Sequence, residues 1–391
     1  MDEVLRGIRS RAALHQPEWA DVSQVTYVAQ VLASRPALVR PADLRRLRDV
    51  LARVAAGEAT VVQAGDCAED PEERTAGDVA RKAALLDLLA GALRMNAHKP
   101  VLRVGRIAGQ FAKPRSSTTE TVRNMVLPTF RGHMVNGPEP TPDARRPDPL
   151  RLLSGYLAAD DIMEHLGWRE WPHGREPIAP PVWTSHEALL LDYEIPMLRR
   201  DEHGRLYLGS THWPWIGERT RQLDGAHVAL LAQVSNPVAC KVGPTMEPGE
   251  LRALCERLDP DREPGRLTLI ARMGADLVAK RLPRLVEAVR VAGHPVIWLT
   301  DPMHGNTVRA PDGIKTRFVE TVSREVVRFQ EAVTDAGGVC GGLHLETTPD
   351  DVTECVHGAA DLAHVGDKYT TFCDPRLNPE QAISVVSVWT A

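Results

Sequence analysis

The chain has 391 residues, 43% of them hydrophobic and 25% charged, and a formal net charge of −5 at pH 7. This composition is ordinary for a soluble globular protein, and it contains no run of about 18 apolar residues that could span a bilayer. The negative net charge disfavours a general polyanion-binding surface, so we expect neither nucleic-acid nor membrane binding, although a local arginine cluster could still bind a small anion.

Residues 1–58 are predicted to form a helical N-terminal extension. The opening segment MDEVLRGIRSRAALHQPEW is charged throughout and lacks the apolar core of a secretory signal, so we expect a cytoplasmic protein. Within PADLRRLRDVLARVAAGE, apolar residues recur at helical spacing, at Leu44, Leu47, Val50, Leu51 and Val54. We expect this extension to pack on a catalytic domain formed by residues 59–391.

From residue 59 onward, short β-branched runs alternate with helical segments. The first run, TVVQAG at 60–65, precedes the strongly helical DVARKAALLDLLAGALRM. Seven further candidate strands lie at 100–105, 181–184, 211–217, 236–243, 266–272, 294–300 and 341–346. Two amphipathic helices have apolar stripes at Leu277, Val278, Leu282, Leu285, Val286 and Val289, and at Phe318, Val319, Val322, Val326 and Phe329. The proline-rich residues 132–181 predict a long, partly irregular connection.

Eight strands alternating with helices predict an α/β fold of the (β/α)8 TIM-barrel type. Such a barrel has right-handed crossovers and places its active site at the carboxyl ends of the strands. A doubly wound sheet is the competing fold. It would need a glycine-rich phosphate loop such as GxGxxG or GxxxxGK[ST] after a strand, and neither is found there.

The predicted strand ends carry a first set of residues that suits a metal ion. The set consists of Cys67, His304, Glu346 and Asp374. One thiolate, one imidazole and two carboxylates suit a divalent ion such as Mn, Fe, Co or Zn. A single cysteine after a strand is more often a small buried apolar residue, but the recurrence of donors at successive strand ends favours a metal. The six cysteines lack CxxC spacing, which argues against a zinc finger or a disulfide framework.

A second set of residues near the strand ends is cationic. It consists of Arg106, Lys113, Arg115, Arg219, Arg221, Lys241 and Arg272. Arginine binds phosphate and carboxylate in a bidentate manner. Surface ion pairs explain Arg115 and Arg221 equally well, whereas a lone lysine on the apolar strand of Lys241 would be costly to bury. A metal beside an anion-binding cluster indicates a carbonyl electrophile and a phosphorylated substrate, which covers aldolases, enolate-type condensations and some hydrolases.

Nine segments resemble the type II 3-deoxy-D-arabino-heptulosonate 7-phosphate (DAHP) synthases, in the same order. They are QAGDCAED, RVGRIAGQFAKPRS, VWTSHEALLLDYE, WPWIGERTRQLDGAH, NPVACKVGP, LTLIARMG, DPMHGNT, GGLHLETTPDDVTEC and CDPRLNPEQ. The short N-terminus and LGSTHWPWIGERTRQLDGAHVALLA are most similar to the branch found in phenazine biosynthesis. The resemblance implies a (β/α)8 barrel that condenses phosphoenolpyruvate with D-erythrose 4-phosphate and water to give DAHP and phosphate, the first step of the shikimate pathway.

The resemblance also implies roles for individual residues. It places the metal ligands at Cys67, His304, Glu346 and Asp374, with Mn²⁺ or Co²⁺ favoured over Fe²⁺ and Zn²⁺. The implied phosphoenolpyruvate contacts are Arg106, Glu218, Arg219, Lys241 and Arg272, and the implied erythrose 4-phosphate contacts are Lys113, Pro114, Arg115 and Ser116. C3 of phosphoenolpyruvate would attack an aldehyde polarised by the metal, and Lys241 or a metal-bound water would protonate the alkoxide. Glu218 would orient the water that adds at C2, and Asp301 or a carbonyl would orient the ring of His304.

Several expectations and alternatives accompany this interpretation. His133 stands where relatives are expected to have an acidic residue, and the 132–181 connection is short, so we expect little inhibition by aromatic amino acids. We hypothesise a reversible disulfide between Cys67 and Cys373 when metal is absent. A homo-oligomer, dimer or tetramer, is expected. The alternatives are an amino-DAHP synthase that uses an imino-erythrose phosphate, an inactive paralogue that acts as a regulatory binding partner, and a metallohydrolase, which is disfavoured.

Overall fold

The computed structural model describes residues 2–122, 125–169 and 181–391. Three helices precede the first strand: α1 (Asp2–Arg9), α2 (Val22–Ser34) and α3 (Pro41–Ala55). The helix predicted from the apolar spacing around Leu44 is confirmed as α3. Four of the five predicted positions are buried, and Val50 is half-buried.

Eight of the strands close into a single barrel. In chain order the strands are β1 (Thr60–Gly65), β2 (Val101–Arg106), β3 (Thr119–Val122), β4 (Met125–Pro128), β5 (Trp183–Glu187), β6 (Leu198–Arg200), β7 (Leu206–Leu208), β8 (Trp213–Ile216), β9 (Val238–Val242), β10 (Leu267–Ala271), β11 (Ile297–Thr300), β12 (Val308–Arg309), β13 (Lys315–Thr316) and β14 (Cys340–Glu346). The order around the closed barrel is β1, β14, β11, β10, β9, β8, β5 and β2. The predicted (β/α)8 fold and all eight predicted strands are confirmed, with small shifts of the strand bounds.

Helices alternate with the barrel strands, as the sequence predicted. They are α4 (Ala76–Ala97), α5 (Leu150–His165), α6 (Leu191–Glu194), α7 (Ala226–Leu231), α8 (Pro248–Leu258), α9 (Val278–Val291), α10 (Val319–Asp335) and α11 (Pro379–Ser387), with a 3₁₀ helix at Ala359–His364. The two predicted apolar stripes lie on α9 and α10. However, Leu277 and Phe318 are the residues just before these helices, and Leu277 is 41% exposed. These two positions were therefore wrongly placed on the helices.

The predicted connection at 132–181 contains more structure than expected. Residues 132–149 form neither helix nor strand, but α5 follows at Leu150. Residues 170–180 of this connection lie outside the described residues. Three short antiparallel hairpins were also not predicted: β3 with β4, β6 with β7, and β12 with β13. Their strands have only two to four residues, too few for a period-two pattern to be recognised.

Contacts between Cα atoms divide the chain into two compact units. The first unit comprises Met1–Leu44, Ala68–Ala80 and Ile107–Asn236, and the second comprises Arg45–Cys67, Arg81–Arg106 and Pro237–Ala391. The predicted division into an extension at 1–58 and a barrel at 59–391 stays a prediction. Among the helices that the described residues form, none has the length and apolar character of a membrane span.

The second unit contains six of the barrel strands, and these are almost entirely buried. Every residue of β9, β10 and β11 is buried, as expected for parallel strands covered on both faces. In this register Gly65 of β1 pairs with Glu346 of β14 on one side and with Arg106 of β2 on the other. The carboxyl ends of these three strands therefore bring polar side chains to one place.

Candidate metal centre and anion-binding residues

A close approach of two strands shapes the position just before Cys67. Gly65 has a φ of +148°, and a Cβ atom at this residue would lie 2.7 Å from the carbonyl oxygen of Arg106. Only glycine allows this combination of backbone conformation and strand separation without strain. The residues after Gly65 are thereby placed beside the end of β2.

Three of the four predicted metal ligands lie within 4.8 Å of one another. Cys67, Glu346 and Asp374 each offer one donor atom to this group, and the first two are fully buried. The thiol of Cys67 lies 3.8 Å from Oδ2 of Asp374, and the backbone N–H of Asp374 donates to Sγ of Cys67 at 3.3 Å. Residues 307 positions apart in the chain are thus in direct contact.

His304, the fourth predicted ligand, adjoins the same group. Its Nε2 lies 3.2 Å from Oε1 of Glu346, and its Nδ1 lies 2.8 Å from Oδ2 of Asp301. Burial alone would raise the pKa of Asp301, but His304 and Lys241 hold it well below its usual value. Nδ1 of His304 is therefore within hydrogen-bond distance of an ionised Asp301, which agrees with the orienting role expected for Asp301.

Two buried arginines fix the carboxylate of Glu346. Oε1 accepts a hydrogen bond from Nη2 of Arg106 at 3.1 Å, and Oε2 accepts one from Nη1 of Arg317 at 2.8 Å. Arg317 also donates to the carbonyl oxygen of Pro375, next to Asp374. The one thiol, one imidazole and two carboxylates that lie together here fit a divalent transition-metal ion.

The predicted cationic residues of the second unit lie around the same donors. Lys241 is buried and its Nζ lies 2.5 Å from Oδ2 of Asp301. Burial lowers the pKa of Lys241, and Arg106 lowers it further, whereas Asp301 opposes the shift. Nη2 of Arg272 donates to the backbone carbonyl of His304 at 3.4 Å. Asp301 thus joins the predicted catalytic lysine to the predicted metal ligand.

The remaining predicted substrate residues lie in the first unit. Nη1 of Arg219 donates to the carbonyl oxygen of Pro114 at 3.2 Å, and Nη2 donates to Oγ of Ser116 at 2.8 Å. Arg219, itself a predicted phosphoenolpyruvate contact, is thereby hydrogen-bonded to the predicted erythrose 4-phosphate loop, which also includes the buried Lys113. Their roles stay predictions.

Arg115 and Arg221, which surface ion pairs explained as well as anion binding did, both form ion pairs in the structure. Arg115 lies 3.3 Å from Glu120, and Arg221 lies 2.9 Å from Oε1 of Glu218. The side chain of Arg221 is only 9% exposed, so its pair with Glu218 is not a surface ion pair. Arg221 instead holds the predicted water-orienting carboxylate.

Sequence reasoning missed several polar residues that support the site. His344 is fully buried, with Nδ1 2.7 Å from Oε1 of Gln63 and Nε2 2.5 Å from Nη1 of Arg106. Burial, together with Lys241 and Arg106, lowers the pKa of His344 well below its usual value, so the neutral ring accepts from Arg106. The signal was present, because Gln63 and His344 interrupt otherwise apolar strands and buried polar groups need partners.

A lysine and a cysteine also adjoin Asp374. Nζ of Lys315, on the β12–β13 hairpin, lies 2.7 Å from Oδ1 of Asp374. The thiols of Cys67 and Cys373 are both in the reduced form in the structure. The expected reversible disulfide between them stays a prediction.

The fold and the site together define a barrel enzyme with a candidate divalent-metal centre beside buried arginine and lysine side chains. The sequence matches the model of the Class-II DAHP synthetase family over residues 4–171 and 173–389, so the chain belongs to this family. The resemblance inferred from the nine segments is confirmed.

Relatives of known name agree with this assignment. The chain is 60% identical to a probable phospho-2-dehydro-3-deoxyheptonate aldolase of Pseudomonas fluorescens, over 100% of this chain and 98% of the relative. It is 42% identical to a phospho-2-dehydro-3-deoxyheptonate aldolase of Streptomyces coelicolor, over 96% and 94% of the two chains. It is 39% identical to the phospho-2-dehydro-3-deoxyheptonate aldolase AroG of Mycolicibacterium smegmatis, over 96% of this chain and 91% of the relative.

Proposed function

We propose that the chain is a metal-dependent DAHP synthase whose metal is held by Cys67, His304, Glu346 and Asp374. As a member of the family, the chain condenses phosphoenolpyruvate with D-erythrose 4-phosphate and water to give DAHP and phosphate. The observation that carries the metal proposal is the convergence of the four donors, in which His304 presents Nε2 3.2 Å from Glu346. A divalent metal would supply Lewis acidity for the aldehyde of erythrose 4-phosphate.

Three cations of the second unit are proposed to bind phosphoenolpyruvate. Arg106, Lys241 and Arg272 supply positive charge beside the donors, and the first two are buried, where charge-assisted hydrogen bonds are strong. Lys241 is also proposed to protonate the new alkoxide from Nζ. Its lowered pKa supports that role, because a less basic ammonium gives up its proton more readily. Asp301, at 2.5 Å, keeps Nζ in place.

We further propose roles for polar residues of the first unit. Glu218 would orient the water that adds at C2, and its pairing with Arg221 at 2.9 Å supports a fixed position for the carboxylate. Arg219 would bind phosphoenolpyruvate, and residues 113–116 would bind the phosphate of erythrose 4-phosphate. The hydrogen bonds from Arg219 to Pro114 and Ser116 support a single binding surface formed by these segments.

Chelation and add-back test the proposal directly. Enzyme treated with a chelator and desalted should lose turnover of phosphoenolpyruvate in the presence of erythrose 4-phosphate, and Mn²⁺ or Co²⁺ should restore it. Cys67→Ser should bind the added metal more weakly, whereas Cys340→Ser, which changes a half-buried thiol at the start of β14, should behave as wild type. Full activity in the metal-free enzyme would refute the metal-dependent mechanism.

The finer assignments are also proposals. A phosphate-release assay with erythrose 4-phosphate and its imino analogue separates the DAHP synthase from the amino variant, and turnover of either substrate excludes an inactive paralogue. We propose that the product feeds secondary metabolism such as phenazine synthesis, and that aromatic amino acids inhibit weakly. A homo-oligomer and a cytoplasmic location stay predictions.

A further inference from the structure

A network of four charged side chains adjoins Cys67 and Asp374 without containing either residue. Nζ of Lys82 lies 2.9 Å from Oδ2 of Asp66, and Oδ1 of Asp66 accepts from Nη1 of Arg376 at 2.7 Å. The same guanidinium donates to Glu354 through Nε at 3.1 Å and through Nη2 at 2.8 Å. Two cations and two carboxylates balance one another, so the group can be buried as a neutral unit.

The network joins the two chain segments that carry the thiol and the carboxylate. Asp66 immediately precedes Cys67 after β1, and Arg376 is two residues beyond Asp374. The guanidinium of Arg376 binds Asp66 on one side and Glu354 on the other. It therefore fixes the end of β1 relative to the segment that contains Asp374.

Glu354 also anchors the backbone of this segment. Residues 370–376 form neither helix nor strand. The backbone N–H groups of Thr370 and Thr371 donate to Oε1 of Glu354 at 3.1 and 2.8 Å, and the N–H of Arg376 donates to Oε2 at 2.7 Å. A segment without regular structure would otherwise sample many conformations, and three backbone hydrogen bonds to one fully buried carboxylate restrict it.

We propose that Arg376 is a positioning residue that sets the separation of the Cys67 and Asp374 donors and thereby the metal affinity. The inference rests on the metal centre proposed above. Arg376 acts through its neighbours, since its hydrogen bonds go to Asp66, Glu354 and Thr370 rather than to the donor atoms. A lysine would keep the charge, but its single ammonium group lacks the planar, separated donors with which the guanidinium binds Asp66 and Glu354 simultaneously.

Co²⁺ titration of the metal-free chain, followed by the thiolate-to-cobalt absorption band, tests this inference. Arg376→Lys should weaken Co²⁺ binding by about 10-fold or more, the usual loss when a residue that orients metal ligands is replaced. Asp66→Asn, which keeps an acceptor for Arg376 but removes a charge, should weaken binding in the same direction. Arg324→Lys is the matched control, because Arg324 pairs with Asp276 at the surface of the same unit.

Melting of the metal-free variants separates positioning from general stability. A purely structural role for Arg376 would lower the melting temperature and leave the Co²⁺ affinity of the folded fraction unchanged. Unchanged Co²⁺ affinity in both Arg376→Lys and Asp66→Asn would overturn the inference. If Arg376→Lys does not fold, the Co²⁺ affinity of Asp66→Asn alone tests it. Absence of a Co²⁺ thiolate band in the wild type would be a different result, because it would remove the proposed metal centre itself.

Discussion

Glu325 of α10 offers a pH-dependent test of how the site loops are held. Its carboxyl group is fully buried. Oε1 accepts from the backbone N–H groups of Met273 and Gly274 at 3.1 and 2.9 Å, and Oε2 accepts from Nδ2 of Asn306 at 2.5 Å. One side chain therefore connects the segment after Arg272 with the turn that contains His304.

Burial has the larger influence on the ionisation of Glu325. It raises the pKa of Glu325 from 4.5 to about 7, and Asp301 adds to the shift, although the hydrogen bonds from Gly274, Asn306 and Met273 lower the pKa. Between these two values the folded chain binds a proton that the unfolded chain has released. The free energy of unfolding therefore decreases as the pH rises from about 4.5 to about 7. Above that range the contribution of Glu325 to the free energy of unfolding no longer changes with pH.

The effect is large enough to measure. At 1.36 kcal/mol for each pKa unit, the contribution of Glu325 to the free energy of unfolding should fall by about 2.5 kcal/mol between pH 5 and pH 8. Glu325→Gln cannot ionise, so the stability of the wild type relative to this variant should decrease by that amount. Urea unfolding of both chains, followed by tryptophan fluorescence in the presence of chelator, gives the difference at each pH.

Glu331→Gln is the matched control, because Glu331 is exposed on the same helix. Its stability relative to the wild type should stay constant across the pH range. If the difference between wild type and Glu325→Gln is flat or increases with pH, the three hydrogen-bond donors outweigh burial. The proposed balance of forces at Glu325 would then be wrong.

The remaining predictions concern the site and the strand beside it. Lys241→Met should lower turnover by about 100-fold or more while Co²⁺ affinity changes little, which phosphate release and metal titration check; equal losses in both would contradict a role in proton transfer. Asp301→Asn should weaken Co²⁺ binding by about 10-fold, because His304 loses the anion that fixes its tautomer, and unchanged affinity would refute the orienting role. Gly65→Ala should destabilise the chain by about 1–3 kcal/mol through strain against Arg106. Gly57→Ala is the control, because Gly57 has a φ of +77° but no atom within 4 Å of an added Cβ, so this variant should lose less stability in urea unfolding. Equal losses of stability in the two variants would show that the contact with Arg106 does not contribute.

The barrel strands were predictable because their signal is local. Runs such as VVQAG and LTLIA are short, β-branched or apolar, and bounded by polar turns, and in the structure they are β1 and β10. The α5 helix was not recognised within the proline-rich connection, although its buried residues Leu152, Tyr156, Ala159 and Met163 follow helical spacing. Turn composition on either side masked this periodicity.

The donors of the candidate metal centre were predictable for a related reason. Cys67, His304 and Glu346 lie at or just after strand ends, and parallel strands bring such positions to one edge. The supporting residues do not share that placement. Arg317 follows the β12–β13 hairpin, and Glu354 lies beyond β14, so their contacts with the site depend on loop geometry that no sequence period describes.

The structure also changes how the two chemical sets should be understood. The sequence separated metal donors from anion-binding cations, but in the structure two carboxylates each contact residues of both sets. Glu346 contacts His304 and Arg106, and Asp301 contacts His304 and Lys241. A change that moves either carboxylate therefore displaces a proposed metal ligand and a proposed substrate cation together. Metal affinity and the KM for phosphoenolpyruvate should consequently shift together in variants of these two residues, because the same oxygen atoms hold both sets in place.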